Sequence, residues 1–280
     1  MPAQLGTGSF NGLSWGPLTK YHVSAVSGLD DLPPIRTFDA PRPGDQGEFR
    51  GTDLLAARTI VLEVLMLGDN NADYYALAEA LRTTFLLNVA ELPLLFFNST
   101  RLVNVRCRRR SIPYDAGRLM RTGSAAIELL ASDPRIYDAN VANLSTGMAQ
   151  SGGGMTFNAT FNLAFGTSGS GGLIQVTNAG TFAVRPILTV TGPVDTPILQ
   201  NVTAGKKLRF NLSLASTDTL IVDLDARTVL LNGTASRRSS LSADSQWWEI
   251  APGTSTLSYT NAGAFQAAST LTFPFSSAWI

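Results

Sequence analysis

The 280-residue sequence contains a single cysteine, Cys107, and a single histidine, His22. Intramolecular disulfides need two cysteines, and structural zinc sites combine several Cys or His ligands. The composition therefore excludes disulfides, thiolate zinc sites and any site with several His or Cys ligands. His22 is the sole candidate for a catalytic histidine. It stands in the alternating stretch 20–23, which is typical of an ordinary strand histidine.

Charged residues are also scarce, at 15% of the chain, against about 25% in ordinary soluble domains. Lys plus Arg equal Asp plus Glu, at 21 each, so net charge creates no general attraction to nucleic acid or to an anionic membrane. Two causes produce so low a charge. One is a neutral surface rich in Ser, Thr and Asn, and the other is a subunit that buries much of its surface against copies of itself.

Long apolar runs and catalytic motifs are missing too. No apolar run reaches 18 residues, and no basic region followed by an apolar core opens the sequence, so we expect neither a membrane span nor a signal peptide. The glycine tract 166–172 lacks the Lys-Ser/Thr pair of a phosphate-binding loop, which indicates a hairpin turn. The acidic pairs Asp30/Asp31 and Asp223/Asp225 are close in sequence, which does not place two carboxylates across a cleft. We predict no enzyme, no cofactor and no metal site.

The first 140 residues combine strand patterns with one helix. Residues 58–67 form a nearly continuous apolar run rich in β-branched side chains, which predicts a buried strand. The helix is predicted from Asp73 to about residue 87, with Asn71 as N-cap and one apolar face. A proline-punctuated loop at 32–47 precedes both elements. A loop of this length in a compact domain is functional or is ordered by a partner.

A further predicted strand, residues 102–110, carries Arg106, Arg108 and Arg110 at every second position. Alternation places the three side chains on one face, where they repel one another unless acids, phosphate or water surround them. A nucleic-acid contact is one hypothesis. The neutral chain favours the other, in which the arginines are solvated or paired at a subunit interface.

Residues 141–156 are rich in Gly, Ser and Asn and predict a linker. Beyond it, short strands follow one another without a helix, which indicates a β-sandwich. The predicted organisation is an N-terminal β domain with one helix over 1–140, the linker 141–156, and a sandwich over 157–280. At this length, one large sandwich is the alternative to two domains.

The stretch 220–252 combines two strands, the Asn232-Gly233 turn and a predicted strand at 246–250 that contains Trp247 and Trp248. Neighbouring side chains of a strand point to opposite faces, so one indole is expected in the core and the other outside. We assign Trp248 to the core. Trp247, beside Gln246 and Glu249, is then a candidate for a sugar-stacking contact, or else covers a sheet edge or a subunit contact.

Several short segments, taken in order from 178 to 279, resemble the siphophage distal tail protein (Dit) family. They are residues 178–180, 185–193 with Gly192 and Pro193, 201–205, Asp223, 228–233 with Asn232 and Gly233, 244–248, 252–253 and 277–279. The N-terminal half resembles the family more loosely, through 28–32, the 42–47 loop, the single helix and 133–137. Residues 1–17 match nothing in this pattern.

The resemblance implies a mainly β virion protein without catalytic activity. Its first domain is expected to form the belt of a hexameric ring that continues the tail tube, and its second to be a galectin-like β-sandwich. Expected partners are the tail tube protein, the tail-tip or tail-associated lysin protein and the tape-measure protein, at the distal end of a tail assembled in the host cytoplasm. On this view Gly192, Pro193, Asn232, Gly233 and Trp248 are scaffold, and the arginine-bearing strand faces the channel or a subunit boundary. The alternative is a carbohydrate-binding module that recognises host cell-wall polysaccharide.

Overall fold

The structure is a computed structural model and describes residues 6–87, 90–113, 120–149 and 171–280. It divides into unit 1, which comprises Met1–Asn140 with Trp279–Ile280, and unit 2, Val141–Ala278. The predicted linker at 141–156 is wrong for Ala142–Gly147, because this segment pairs along its whole length with a strand of unit 2. Residues 150–156 of that prediction lie outside the described residues.

Unit 1 contains one described α-helix, α1 (Asn71–Thr84), and a series of antiparallel strands. The strands are β1 (Gly8–Phe10), β2 (Leu13–Trp15), β3 (Tyr21–Ser27), β4 (Ile35–Arg36), β5 (Ala40–Pro41), β6 (Glu48–Phe49), β7 (Leu54–Leu55), β8 (Arg58–Leu67), β9 (Leu92–Phe96), β10 (Arg101–Ser111), β11 (Thr122–Ala131) and β12 (Ile136–Asp138).

The main sheet of unit 1 has the order β2-β1-β9-β10-β11-β8-β3, with β12 paired to β10. Strands β8 and β11 are neighbours in this sheet and pair over ten residues. Every second residue of β8 is buried, as the strand period of two requires. The buried face, together with α1, contributes to one hydrophobic core. The strand predicted at 58–67 is confirmed.

The helix begins at Asn71 because the Asn70 side chain accepts a hydrogen bond from the backbone N–H of Asp73, at 2.9 Å. The N-cap is therefore Asn70 and not the predicted Asn71. The helix ends at Thr84, three residues before the predicted end, since Phe85 leaves helical geometry and its ring stacks on Phe10 with centroids 5.0 Å apart. The apolar face of the helix is thus fixed to the sheet at its C-terminal end.

Unit 2 consists of two larger sheets and a short strand pair, β16-β19. Its strands are β13 (Ala142–Gly147), β14 (Leu173–Asn178), β15 (Ile187–Thr191), β16 (Val194–Asp195), β17 (Pro197–Asn201), β18 (Lys206–Arg209), β19 (Ser213–Leu214), β20 (Thr219–Asp223), β21 (Thr228–Leu231), β22 (Ala235–Ser236), β23 (Gly253–Asn261) and β24 (Thr270–Phe275), with a 3-10 helix at Arg238–Ser240. A final strand, β25 (Ala278–Trp279), ends in unit 1.

The two sheets of unit 2, ordered β13-β24-β15-β20-β21-β22 and β14-β23-β17-β18, form a sandwich. Strand β20 of the first sheet and strand β17 of the second alternate between buried and partly buried residues, as expected for strands that pack one face in a sandwich core. A buried polar link joins the sheets: the Tyr259 and Ser269 hydroxyls are hydrogen-bonded, and Ser269 Oγ donates to the Thr191 carbonyl at 2.9 Å. The predicted mainly β fold with one helix and a C-terminal sandwich is confirmed. Residues 157–170 of the predicted sandwich, including most of the glycine tract at 166–172, lie outside the described residues.

Candidate functional site

The two adjacent tryptophans of unit 2 occupy different environments. Trp248 is 4% exposed, and its indole N–H donates to the Leu199 carbonyl at 3.4 Å, whereas Trp247 is half-buried. Gln246 and Glu249 on either side are exposed. The structure thus places one indole in the core and the other at the surface.

The segment that carries them is not the strand predicted at 246–250. Only Ile250 forms a β-bridge, with Val184. Before that point the backbone is held by single contacts: the Gln246 N–H donates to the Lys207 carbonyl at 2.8 Å, and the buried Asn201 amide donates to the Glu249 carbonyl at 3.0 Å. The Asn201 side chain thus supplies a hydrogen bond that the backbone of a neighbouring strand would make in a sheet. Sequence periodicity cannot distinguish these two kinds of partner.

Trp247 lines a cleft of about 150 Å³ in unit 2. The lining residues come from four separate parts of the chain and are Arg185, Lys206, Leu224, Arg227, Trp247, Trp248 and Glu249. Of the predicted contact set, Trp247 and Glu249 meet in the cleft, and Gln246 is not part of its lining. Sequence reasoning missed the three cations, because no local pattern brings β18, the β20–β21 turn and residue 185 together.

The cations of this cleft differ in their partners. Arg185 donates through Nε to Glu249 Oε2 at 3.0 Å and through Nη1 to Asp225 Oδ1 at 3.3 Å, so its position is fixed by two carboxylates. Lys206 and Arg227 are exposed, and neither has a hydrogen bond or ion pair through its side chain with any described residue. The cleft therefore presents two unneutralised cations beside an indole.

The predicted turn residues serve the backbone. Asn232 and Gly233 adopt positive φ angles of 51° and 73°, the conformation that an Asn-Gly turn supplies at little cost. The Asn232 amide oxygen accepts from the Thr219 N–H at 2.8 Å, and its NH2 donates to Asp218, which lowers the pKa of that carboxyl.

The Gly192–Pro193 peptide bond is cis. A Cβ at Gly192 would lie 2.0 Å from the Ala215 carbonyl oxygen, so a side chain does not fit between these backbones.

The prediction that Arg106, Arg108 and Arg110 share one face is wrong. Strands β10 and β11 change register between Cys107 and Arg109, so that Arg108 is the extra residue of a β-bulge. Beyond the bulge Arg110 pairs with Ile127, whose side chain is fully buried. The bulge therefore moves Arg110 to the core face, whereas Arg108 and Arg109 stay exposed.

Arg110 caps the C-terminal end of α1. Its Nη1 donates to the carbonyl of Arg82 and, at 3.0 Å, to that of Phe85. Carbonyls at a helix C-terminus lack intrahelical partners and carry partial negative charge, which a guanidinium complements. This arginine is accordingly part of the fold of unit 1.

We expect Arg110→Met to lower the free energy of unfolding by about 1–2 kcal/mol, because it removes charge-assisted hydrogen bonds that are half-exposed. Urea denaturation, with hydrogen exchange in the last turn of α1, measures the loss. Arg109→Met is the matched control, since Arg109 is exposed, and we expect it to change stability by less than about 0.5 kcal/mol. Equal effects of the two substitutions would contradict a capping role.

The proline-punctuated loop predicted at 32–47 forms a two-stranded ribbon in unit 1. Strand β4 pairs with β7 and β5 with β6, and the turn is closed by the Arg42 N–H, which donates to the Gly47 carbonyl at 3.1 Å. All residues from 34 to 50 are exposed. We call residues 34–55 the ribbon. Its exposed large apolar side chains are Ile35, Phe38, Phe49 and Leu54.

The described residues contain no group of three or more His, Cys, Asp or Glu side chains arranged to hold a metal ion. Within the same residues, no helix has the length and hydropathy needed to cross a membrane. Cys107 is buried, and burial raises the pKa of its thiol, which disfavours the reactive thiolate.

Comparison with known protein families tests the resemblance of the C-terminal segments. Residues 179–279 match the family model described as siphovirus-type tail component, C-terminal domain. The match assigns residues 179–279 to this family of siphophage tail components. No curated protein sequence matches it significantly. The resemblance inferred from the short segments between 178 and 279 is thereby confirmed, and so is the predicted location in the virion, at the distal part of the tail.

Comparison with solved structures addresses the fold. The Dit protein of phage SPP1, described as a paradigm of the hub adsorption apparatus in phages that infect Gram-positive bacteria, shares 17% sequence identity and a TM-score of 0.65. The match covers 96% of this chain and 98% of the SPP1 protein, so both units have the same fold as that protein. A chain of the phage P2 baseplate in its activated conformation with calcium shares 12% identity over 94% of this chain and 93% of its own, with a TM-score of 0.49.

Proposed function

We propose that this distal tail protein is a non-catalytic hub subunit that forms a homohexameric ring between the tail tube and the adsorption apparatus. Unit 1 makes the ring. The neighbours are the tail tube protein, the tail-tip or tail-associated lysin protein and the tape-measure protein that passes through. The exposed apolar ribbon is the observation that carries the proposal.

The ribbon has no core of its own. A two-stranded hairpin is at best marginally stable in water, and this one exposes Phe38 by 60% and Phe49 by 58%. Arg42 lies over the Phe49 ring, 5.2 Å from its centroid, which orders the tip without burying it. Large apolar side chains clustered on an exposed segment mark an interaction surface. A neighbouring subunit is the partner that buries them in this proposal.

In this proposal the ribbon joins unlike surfaces of neighbouring copies. A ribbon that docks on a different surface of the next copy makes a head-to-tail contact, and such contacts close into rings when the rotation per subunit allows it. Scarce charge, at 15% of the chain, supports large subunit contacts. Arg106 and Arg108 then lie at the channel or at a subunit boundary. Arg106 Nε is buried and has no hydrogen-bond partner within the described residues.

We expect purified protein to form a hexamer, and the double substitution Phe38→Ser with Phe49→Ser to yield monomers, because it removes the two largest apolar side chains of the ribbon. Size-exclusion chromatography with light scattering measures the mass, and negative-stain imaging shows the rings. Circular dichroism should be unchanged, since both side chains are exposed in the monomer.

Phe265→Ser is the matched control. Phe265 is 43% exposed and belongs to unit 2, so its replacement should leave the hexamer intact. Wild-type protein that remains monomeric at all concentrations, both alone and with the tail tube protein, would contradict the proposed ring. A ribbon variant that assembles normally would show that other surfaces make the contact.

A further inference from the structure

The cleft beside Trp247 is lined by functional groups that have no role in the sandwich core or in the proposed ring assembly. An indole face, two cations without partners and a carboxylate meet in one small cavity of unit 2. Its lining carries the cations Arg185, Lys206 and Arg227 and the carboxylate Glu249. The Asp225 carboxylate also pairs with Arg185, which leaves one positive charge in excess. An excess of positive charge at a concave surface attracts anions.

The segment of the cleft that carries Trp247 is held in position without a ligand. The backbone on either side of Trp247 is fixed by the Gln246 to Lys207 hydrogen bond and by the Asn201 amide at Glu249. The side chain of Glu249 is in turn held by Arg185. Binding to a preorganised site loses less conformational entropy than binding to a mobile one.

We propose that this cleft binds a saccharide unit that carries a phosphate or carboxylate group. The apolar C–H face of a sugar ring packs against the Trp247 indole, which combines a flat apolar body with a polar edge. Lys206 and Arg227 bind the anionic substituent through charge-assisted hydrogen bonds. Glu249 accepts hydrogen bonds from sugar hydroxyls, which is a role for an acid in a site that is otherwise cationic.

A nucleic acid fits the same cleft less well. Single-stranded nucleic acid also stacks on aromatic side chains, but it needs a positive groove that follows several phosphates. Here Asp225 and Glu249 stand on either side of Arg185 and repel a chain of phosphates. Two carboxylates beside two unpaired cations suit a hydroxyl-rich ligand with isolated negative charges.

Isothermal titration of the full chain tests this proposal with four probes: a glycerol-phosphate oligomer, a uronate oligosaccharide, a neutral glucan oligosaccharide of similar length and a single-stranded oligonucleotide. We expect one or both anionic carbohydrate probes to bind more tightly than the other two, and added salt to weaken that binding. The first two probes distinguish phosphate from carboxylate. Because the cleft lies within unit 2, a monomer should bind as well, so the result does not depend on ring formation.

Substitutions then assign the site. Trp247→Ala, and the pair Lys206→Ala with Arg227→Ala, should each weaken binding by about tenfold or more. Lys207→Ala is the matched control, since Lys207 lies next to Lys206 on β18 but pairs with Asp244, outside the cleft. Circular dichroism confirms folding of each variant. The proposal is wrong if no anionic saccharide binds at millimolar concentration, if the neutral glucan or the oligonucleotide binds best, or if Lys207→Ala weakens binding as much as the cleft substitutions.

Discussion

Replacing Arg58 with methionine is expected to lower the free energy of unfolding of unit 1 by about 3–5 kcal/mol. Arg58 is 1% exposed and stands at the first position of β8. Its burial is tolerated because its guanidinium donates hydrogen bonds to four backbone carbonyls. The substitution leaves a side chain of similar length that can make none of these bonds.

The bonds tie three parts of unit 1 together. Nη1 donates to the carbonyls of Gly28, Leu29 and Asp31 at 2.9, 2.6 and 2.7 Å, and Nε donates to that of Pro134 at 2.9 Å. Burial lowers the pKa of Arg58, whereas Asp30 and Asp31 act in the opposite direction. Without the guanidinium, the Leu29 carbonyl loses its donor in a buried position and the other three carbonyls lose theirs in partly buried ones. Each buried group left unsatisfied costs about 1–3 kcal/mol.

Urea denaturation combined with hydrogen exchange of the β8 amides measures the effect on unit 1. Arg50→Met is the matched control, because Arg50 is an exposed residue of the ribbon, and we expect a change below about 0.5 kcal/mol. A loss below about 1 kcal/mol in Arg58→Met would show that the network contributes little. Arg58→Lys should also destabilise, since an ammonium group cannot reproduce the planar fork of donors.

The second large effect is expected for Trp248→Ala, which should destabilise unit 2 by about 3–5 kcal/mol. The indole of Trp248 is 4% exposed, and its removal leaves a cavity and deletes the hydrogen bond from the indole N–H to the Leu199 carbonyl. The surrounding sandwich relaxes only partly around such a cavity. Hydrogen exchange of the amides of β17 and β23, which pair with each other, should show the loss.

Trp247→Ala is the matched comparison for that prediction. The same residue type one position away is half-buried and lines the cleft, so its loss should cost about 1 kcal/mol or less. Trp247→Ala should instead remove binding of the anionic saccharide, although the variant still folds. Similar destabilisation by both substitutions would show that Trp247 belongs to the core as well.

The sequence predicted correctly those features that depend on local patterns. The burial of β8 follows from ten alternating positions, and the Asn232-Gly233 turn follows from two residues that adopt positive φ readily. The helix was found through its apolar face. Its N-cap was misplaced by one residue, because Asn70 and Asn71 are equally suited to capping and only the Asp73 N–H distinguishes them.

The candidate sites depended on contacts between distant residues. The bulge at Arg108 reverses the face of Arg110, and a single extra residue in a strand leaves no mark in the alternation of the sequence. Arg58 was part of an apolar run. No residue near it in sequence indicated that backbone carbonyls within residues 28–31 and that of Pro134 would accept its hydrogen bonds and permit its burial. The cleft combines residues from positions 185 to 249, which only the folding of unit 2 brings together.

By itself, then, the sequence determined that this chain is a mainly β protein with one helix and a C-terminal sandwich, because strand alternation and turn residues act locally. Short segments between 178 and 279 added the resemblance to the distal tail family. The tertiary structure alone decided which arginine caps the helix, which arginine is buried, and which cations surround Trp247. Each of these depends on register and on packing between segments far apart in the chain, where a shift of one residue changes the face that a side chain occupies.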